Sequence, residues 1–69
     1  MKRTAVSSSN LASVGYDVDS LTLEVEFLNG SIYQYYDVPE GVFDEMLNAG
    51  SVGSYFSHNV RNSYATQKV

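Results

Sequence analysis

Chemistry in this chain has to come from few residues. It holds one histidine, His58, no cysteine, four basic side chains (Lys2, Arg3, Arg61, Lys68) and eight carboxylates. Nucleophilic catalysis would need a serine or threonine with His58 as base and an acid to orient it, and no glycine-flanked serine elbow marks such a nucleophile. One histidine without cysteine leaves only scattered carboxylates as metal ligands, and the Walker and Rossmann glycine patterns are missing. The expectation is a protein that is not an enzyme and uses no cofactor and no metal.

Anion binding suits the residues better. Ser51-Val52-Gly53-Ser54 reads as the start of a helix, and a helix N-terminus offers unbonded N–H groups and the positive end of a dipole to a phosphate. His58 and Arg61 follow one to two turns on. Arginine grips phosphate through two N–H groups, and histidine adds a donor. Ser8, Ser9 and Asn10 supply hydroxyl and amide donors if the first strand delivers them to the same end. At about 1.5 Å per residue, His58 and Arg61 sit well along the helix from its start, which also places them to serve a dimer partner's site. The plainer roles are Ser51 as helix cap, Ser8 to Asn10 as a polar lead-in, and Arg61 as an exposed partner for Asp44 or Glu45.

Tyrosines form the second candidate group. Tyr33 and Tyr35 share one face of a strand. They serve either as core residues or as a platform on which bases stack at about 1–3 kcal/mol each. Glu24 and Glu26, flanking such a platform, would repel phosphates. Tyr55, beside Ser54, completes the candidate ligand-binding set of Ser8, Ser9, Asn10, Tyr33, Tyr35, Ser54, Tyr55, His58 and Arg61.

The elements that position these residues are legible from periodicity. Leu21 to Phe27 alternates apolar and polar at every step, the signature of a sheet with one wet face. Asn29-Gly30 then marks a hairpin into Ser31 to Tyr36, and Leu11 to Tyr16 is a weaker first strand joined through a turn at Asp17 to Ser20. A two-residue hairpin loop would place Gln34 among Leu23, Val25 and Phe27. A three-residue loop with Gly30 left-handed pairs Phe27 with Ser31, Val25 with Tyr33, Leu23 with Tyr35 and Glu24 with Gln34. The second register is favoured, because burying Gln34 unpaired costs about 1–3 kcal/mol, whereas a tyrosine buries its ring and keeps its hydroxyl at the edge.

Past Tyr36 the period changes. Val38, Val42, Phe43, Met46 and Leu47 form an apolar stripe on a helix with Pro39 at its first position and Gly50 at its C-terminal cap. A second helix capped by Ser51 turns Val52, Tyr55, Phe56, Val60 and Tyr64 inward. The architecture is α+β: a three-stranded antiparallel meander followed by two helices on one face, a single domain over residues 1–69.

The order of these motifs resembles the KTSC domain, a small module found in single-domain bacterial and phage proteins and at the C-terminus of some lysyl-tRNA synthetases. The residues that carry the likeness are Ser8-Ser9-Asn10-Leu11, Gly15-Tyr16-Asp17, Leu23-x-Val25-x-Phe27-x-x-Gly30, Tyr33-Gln34-Tyr35, Val38-Pro39, Gly53-Ser54-Tyr55-Phe56, Val60-Arg61 and Tyr64. Residues 1 to 5 and 65 to 69 carry none of them. The resemblance implies a binding module rather than an enzyme, with RNA as an implied ligand. Small phage proteins of this size also sequester the nucleotide signals of bacterial immunity, a link resting on size and not on any motif here.

Composition sets the remaining bounds. Sixty-nine residues allow one domain, and a domain this small buries only about 60% of its unfolded surface, so a homodimer is expected. No leader opens the chain, no apolar run approaches the roughly 20 residues of a membrane helix, and disulfides are excluded; a cytoplasmic protein is the expectation. The net charge of −4 hides a polarity: every acid lies between positions 17 and 45, and every base near an end. If the ends meet, they form a positive patch with His58.

Two readings follow. The first is a binder of a phosphate-bearing ligand, a nucleotide or short RNA rather than long double-stranded DNA, whose affinity falls with Arg61→Ala and steeply with salt. The second is a protein-interaction adaptor that docks by its tyrosine-rich surface, with a shallow salt dependence.

Overall fold

The computed structural model describes residues 1–69. Five strands, β1 (Arg3–Ala5), β2 (Leu11–Asp17), β3 (Thr22–Phe27), β4 (Ile32–Tyr35) and β5 (Thr66–Lys68), form one antiparallel sheet in the order β1-β2-β3-β4-β5. Two helices, α1 (Glu40–Asn48) and α2 (Val52–Asn59), are inserted between β4 and β5 and cover one face.

The expected meander is its centre. The β3–β4 hairpin has the three-residue loop: Leu23 pairs with Tyr35, Glu24 with Gln34 and Val25 with Tyr33. The Phe27 N–H donates to the Ser31 carbonyl at 2.8 Å, and Gly30 takes φ +91°, a conformation glycine adopts without a Cβ penalty. The β2–β3 turn closes through Asp17, whose carboxylate accepts the Asp19 N–H and the Ser20 hydroxyl.

Two differences from the sequence reading concern strand number and helix ends. The sheet has five strands, not three, because both chain ends add a short edge strand, β1 on β2 and β5 on β4. Neither has alternating hydrophobicity, since each is almost wholly exposed and held by backbone pairing. Helix α1 starts one residue after Pro39 and ends before Ala49, whose N–H donates to the Met46 carbonyl; Gly50 makes no left-handed cap. Leu47, expected inward, is 39% exposed.

The core lies between sheet and helices. Leu11, Val14, Leu23, Val25 and Tyr35 from the sheet meet Val38, Met46, Phe56 and Val60. Phe56 is its hub: its ring meets Phe27 edge-on at 5.7 Å and Tyr35 at 5.4 Å. Tyr16 ties β2 to α1, stacking on Phe43 at 5.2 Å and donating its hydroxyl to the Val38 carbonyl. Burial, with Glu40, Asp17 and Asp44 nearby, pushes the Tyr16 phenol above its ordinary pKa.

The helix-free face is polar and internally bonded. Arg3 on β1 reaches Glu24 on β3 at 2.5 Å and the Ser13 hydroxyl at 3.0 Å; Gln34 on β4 donates to the other Glu24 oxygen at 2.9 Å, and Tyr36 donates to Gln34. Glu24 is 8% exposed. The Gln34 hydrogen bond first, and Arg3 after it, holds its carboxyl below the ordinary glutamate pKa against the opposing pull of burial.

Candidate anion-binding cleft

Helix α2 begins at a working cap. Ser51 is extended, and its hydroxyl accepts the Ser54 N–H at 3.2 Å. The hydrogen bonds of the fold leave the Val52 and Gly53 N–H groups unused, so the first turn presents two main-chain donors at the positive end of the helix dipole.

Opposite stands the turn that leads into β2. The Ser8 hydroxyl accepts the N–H groups of Asn10 and Leu11 and donates to Asn10 Oδ1 at 2.8 Å, winding Ser8 to Leu11 into a tight loop. That loop lies against α2 at Gly53, where a Cβ would come within 2.4 Å of Asn10 Oδ1 and 2.7 Å of Ser8 Oγ. Glycine is otherwise unfavourable inside a helix, by about 1 kcal/mol relative to alanine; here it permits the contact between loop and helix.

Between the two elements lies a cleft of about 380 Å³ lined by Ser9, Asn10, Ser51, Gly53, Ser54, Ser57 and His58. None of these is hydrophobic, lysine or arginine. His58 Nδ1 stands 2.8 Å from the Ser54 carbonyl. A carbonyl only accepts, so Nδ1 carries the proton, and in the neutral ring Nε2 is left as an unbonded acceptor that becomes a donor on protonation. The cleft is therefore a group of neutral N–H and O–H donors with one titratable group, built within a single chain. Such a group holds an anion by hydrogen bonding and the helix dipole rather than by ion pairing.

The structure brings together Ser9, Asn10, Ser54 and His58, with Ser8 directly behind Asn10. It does not bring the others. Arg61 follows the far end of α2, where its N–H donates to the Phe56 carbonyl and its charge stands near the Tyr35 hydroxyl, not the cleft. Tyr35 is in the core, 4% exposed, and burial raises its pKa; Tyr33 is half-buried, edge-on to Phe27 at 5.6 Å. These are the core positions of the favoured register, not a stacking platform. Tyr55 donates its hydroxyl to Glu45 at 2.9 Å, joining α2 to α1, and that bond raises its pKa. Glu45 is thereby taken by Tyr55 and makes no ion pair with Arg61.

The expected basic patch is also absent. Lys2 and Arg3 belong to one edge of the sheet and Lys68 to the other, so three intervening strands separate the ends, and Arg3 is neutralised by Glu24. Sequence reasoning took the helix start at Ser51 as part of the anion site but missed Ser57 as a cleft residue and Gly53 as the contact point. The Ser51 cap signal marks the helix start and the sequence offers Ser8 to Asn10 as its partners, but only the fold shows that β2 delivers that turn to Gly53.

Comparison with known proteins agrees with this architecture. Residues 7–64 match the KTSC domain. An uncharacterised protein of Stutzerimonas stutzeri is 47% identical over 57 residues, covering 83% of this chain and 80% of that protein. A lysine–tRNA ligase of Nostoc punctiforme is 30% identical over 61 residues, 88% of this chain but 11% of the ligase. A crystal structure of a KTSC domain protein from Yersinia pestis superposes with a TM-score of 0.93 at 36% identity, covering 99% of this chain and 96% of that one.

Proposed function

The chain belongs to the KTSC domain family, and from that membership and the cleft we propose that it is a non-catalytic module that binds a compact phosphate-bearing ligand, a nucleotide or the terminal phosphate of a short RNA. The observation that carries this is the cleft between the Ser9-Asn10 turn and the start of α2, whose lining is wholly polar and rich in donors. Two unused N–H groups and a helix dipole favour an anion there. Eight carboxylates on a chain of net charge −4 disfavour a long polyanion, which gains affinity from many neutralised phosphates. Sequestration of a nucleotide immune signal is one physiological use of such binding, since it needs capture without turnover.

The non-catalytic reading is supported by His58. Its Nδ1 is held by a main-chain carbonyl rather than a carboxylate, and no serine hydroxyl is hydrogen-bonded to its ring, so the pairing that activates a nucleophile is lacking. The occurrence of a similar segment within a lysine–tRNA ligase is in keeping with a ligand from RNA or nucleotide chemistry. The adaptor reading has less behind it, because Tyr35 is buried and the hydroxyls of Tyr16, Tyr36 and Tyr55 already have partners.

Amide chemical shifts recorded during titration with inorganic phosphate, mononucleotides and short 5′-phosphorylated RNAs test the proposal. Saturable shifts centred on Val52, Gly53 and Ser54 are expected. Unmoved amides at those positions throughout the panel would dismiss it.

A further inference from the structure

We propose that Asn29 is a latent self-modification site: its carboxamide is converted to a carboxylate through attack by the Gly30 main-chain nitrogen, and the closed β3–β4 hairpin holds that reaction off. Asparagine followed by glycine is the pair in which this attack meets least steric resistance, because no side chain stands beside the attacking nitrogen. The other asparagines, Asn10, Asn48, Asn59 and Asn62, precede leucine, alanine, valine and serine. Asn29 and Gly30 are both exposed, and nothing lies within 4 Å of the place a Gly30 Cβ would take.

The step balances with water alone. Gly30 N gives its proton to solvent base and bonds to Asn29 Cγ; the Cγ–Nδ2 bond breaks, and Nδ2 takes a proton from water and leaves as ammonia. Water then opens the resulting succinimide ring at one of its two carbonyls. One opening leaves aspartate. The other leaves isoaspartate, in which the main chain runs through Cβ and Cγ and is one atom longer.

The hairpin treats the two reacting groups differently. Asn29 Oδ1 accepts the Ser31 N–H at 2.9 Å, a bond that favours the negative charge this oxygen gains when Cγ is attacked. The nucleophile is withheld, because the Gly30 N–H donates to the Phe27 carbonyl at 2.9 Å. Losing that proton inside the closed loop would leave an amide anion facing a carbonyl lone pair. The Phe27 N–H, donating to the Ser31 carbonyl at 2.8 Å, closes the same loop. Conversion therefore proceeds through molecules whose hairpin has opened, and its rate in the native protein follows that opening rather than solvent exposure.

The product reaches the wall of the cleft. The Leu28 N–H donates to the Asn10 carbonyl at 3.0 Å, tying the hairpin to the Ser8–Leu11 turn. An extra main-chain atom between residues 29 and 30 does not fit the three-residue loop, so isoaspartate frees the Leu28 N–H and releases the turn on that side.

The test incubates the full chain at mildly alkaline pH, folded and in denaturant, and follows the mass gain of the Phe27–Glu40 peptide released by cleavage after glutamate. In denaturant Asn29 is expected to outpace the other four asparagines, and in native buffer its conversion is expected to run at least about tenfold slower. Tyr33→Ala removes the ring that meets Phe27 edge-on at 5.6 Å, and is expected to speed conversion in native buffer while the helical circular dichroism is retained. Should that variant fail to fold, the wild-type comparison decides alone. Equal rates in the folded and unfolded chain overturn the hairpin lock, and an Asn29 no faster than the other asparagines in denaturant overturns the site itself. In the purified isoaspartate product, hydrogen exchange at the Leu28 amide should rise with the helix amides unchanged; protection equal to wild type overturns the link to the cleft wall.

Discussion

At the scale of single residues, Glu24 and Phe56 matter most to stability. The Glu24 carboxyl has its pKa lowered in the folded chain, chiefly by Gln34 and then by Arg3. A group with a depressed folded pKa binds protons more weakly when folded, so it stabilises the fold above its unfolded pKa and loses that contribution as pH falls through the folded one. Acid unfolding followed by circular dichroism should accordingly show wild type losing stability below the ordinary glutamate pKa, and Glu24→Gln, less stable at neutral pH, showing a flatter acid limb. Equal acid limbs would mean that Glu24 is not a coupled group. Phe56 is fully buried between Phe27 and Tyr35. Truncation to alanine at such a site costs about 3–5 kcal/mol, comparable with the whole stability of a domain this size. Phe56→Ala is expected to lose its cooperative thermal transition at room temperature and above.

At the scale of elements, the edge strand β1 depends on a glycine of its neighbour. A Cβ at Gly15 would stand 2.6 Å from the Lys2 carbonyl oxygen, a backbone atom that moves only if the strand moves. Gly15→Ala is therefore predicted to detach β1, raising hydrogen exchange at residues Arg3 to Ala5 and cutting stability by about 1–3 kcal/mol. Exchange in β3 should stay slow, since β3 pairs with β2 and β4 whether or not β1 is docked. Protection retained at Arg3 to Ala5 would show that the ladder tolerates the methyl group. The same close approach recurs at Gly53, where one element seats another and forms a wall of the cleft.

At the scale of the whole molecule, charge and site are separated. The cleft contains no lysine or arginine, the bases at the two chain ends lie on opposite edges of the sheet, and Arg3 is held by Glu24. Counterion release requires cations on phosphates, so binding in the cleft should weaken only modestly between low and physiological salt, and Arg61→Ala should leave it within about twofold of wild type. Calorimetric titration with a mononucleotide over a salt series measures this. A steep slope, or a large loss with Arg61→Ala, would move the site to the C-terminal end of α2. The shallow slope replaces the steep one expected from charge segregation along the chain, because that expectation required the termini to meet.

Alternation from Leu21 to Phe27, the Asn-Gly hairpin and the apolar stripes after Val38 determined the α+β meander, its register and its core, because side-chain period and turn chemistry act over neighbouring residues. The same local logic marked Ser51 as a cap and kept Gln34 out of the core. The pairing of β1 and β5 with the meander was decided only in the folded chain, since exposed backbone ladders have no side-chain signature. Tertiary structure also selected which donors share the cleft: Ser8 to Asn10 and the start of α2 are distant in sequence and meet because β2 and α2 pack through Leu11, Val14 and Phe56, with Gly53 leaving room for the loop. It excluded Arg61 for the complementary reason that a helix, once its N-terminus faces a site, carries its C-terminus away from it.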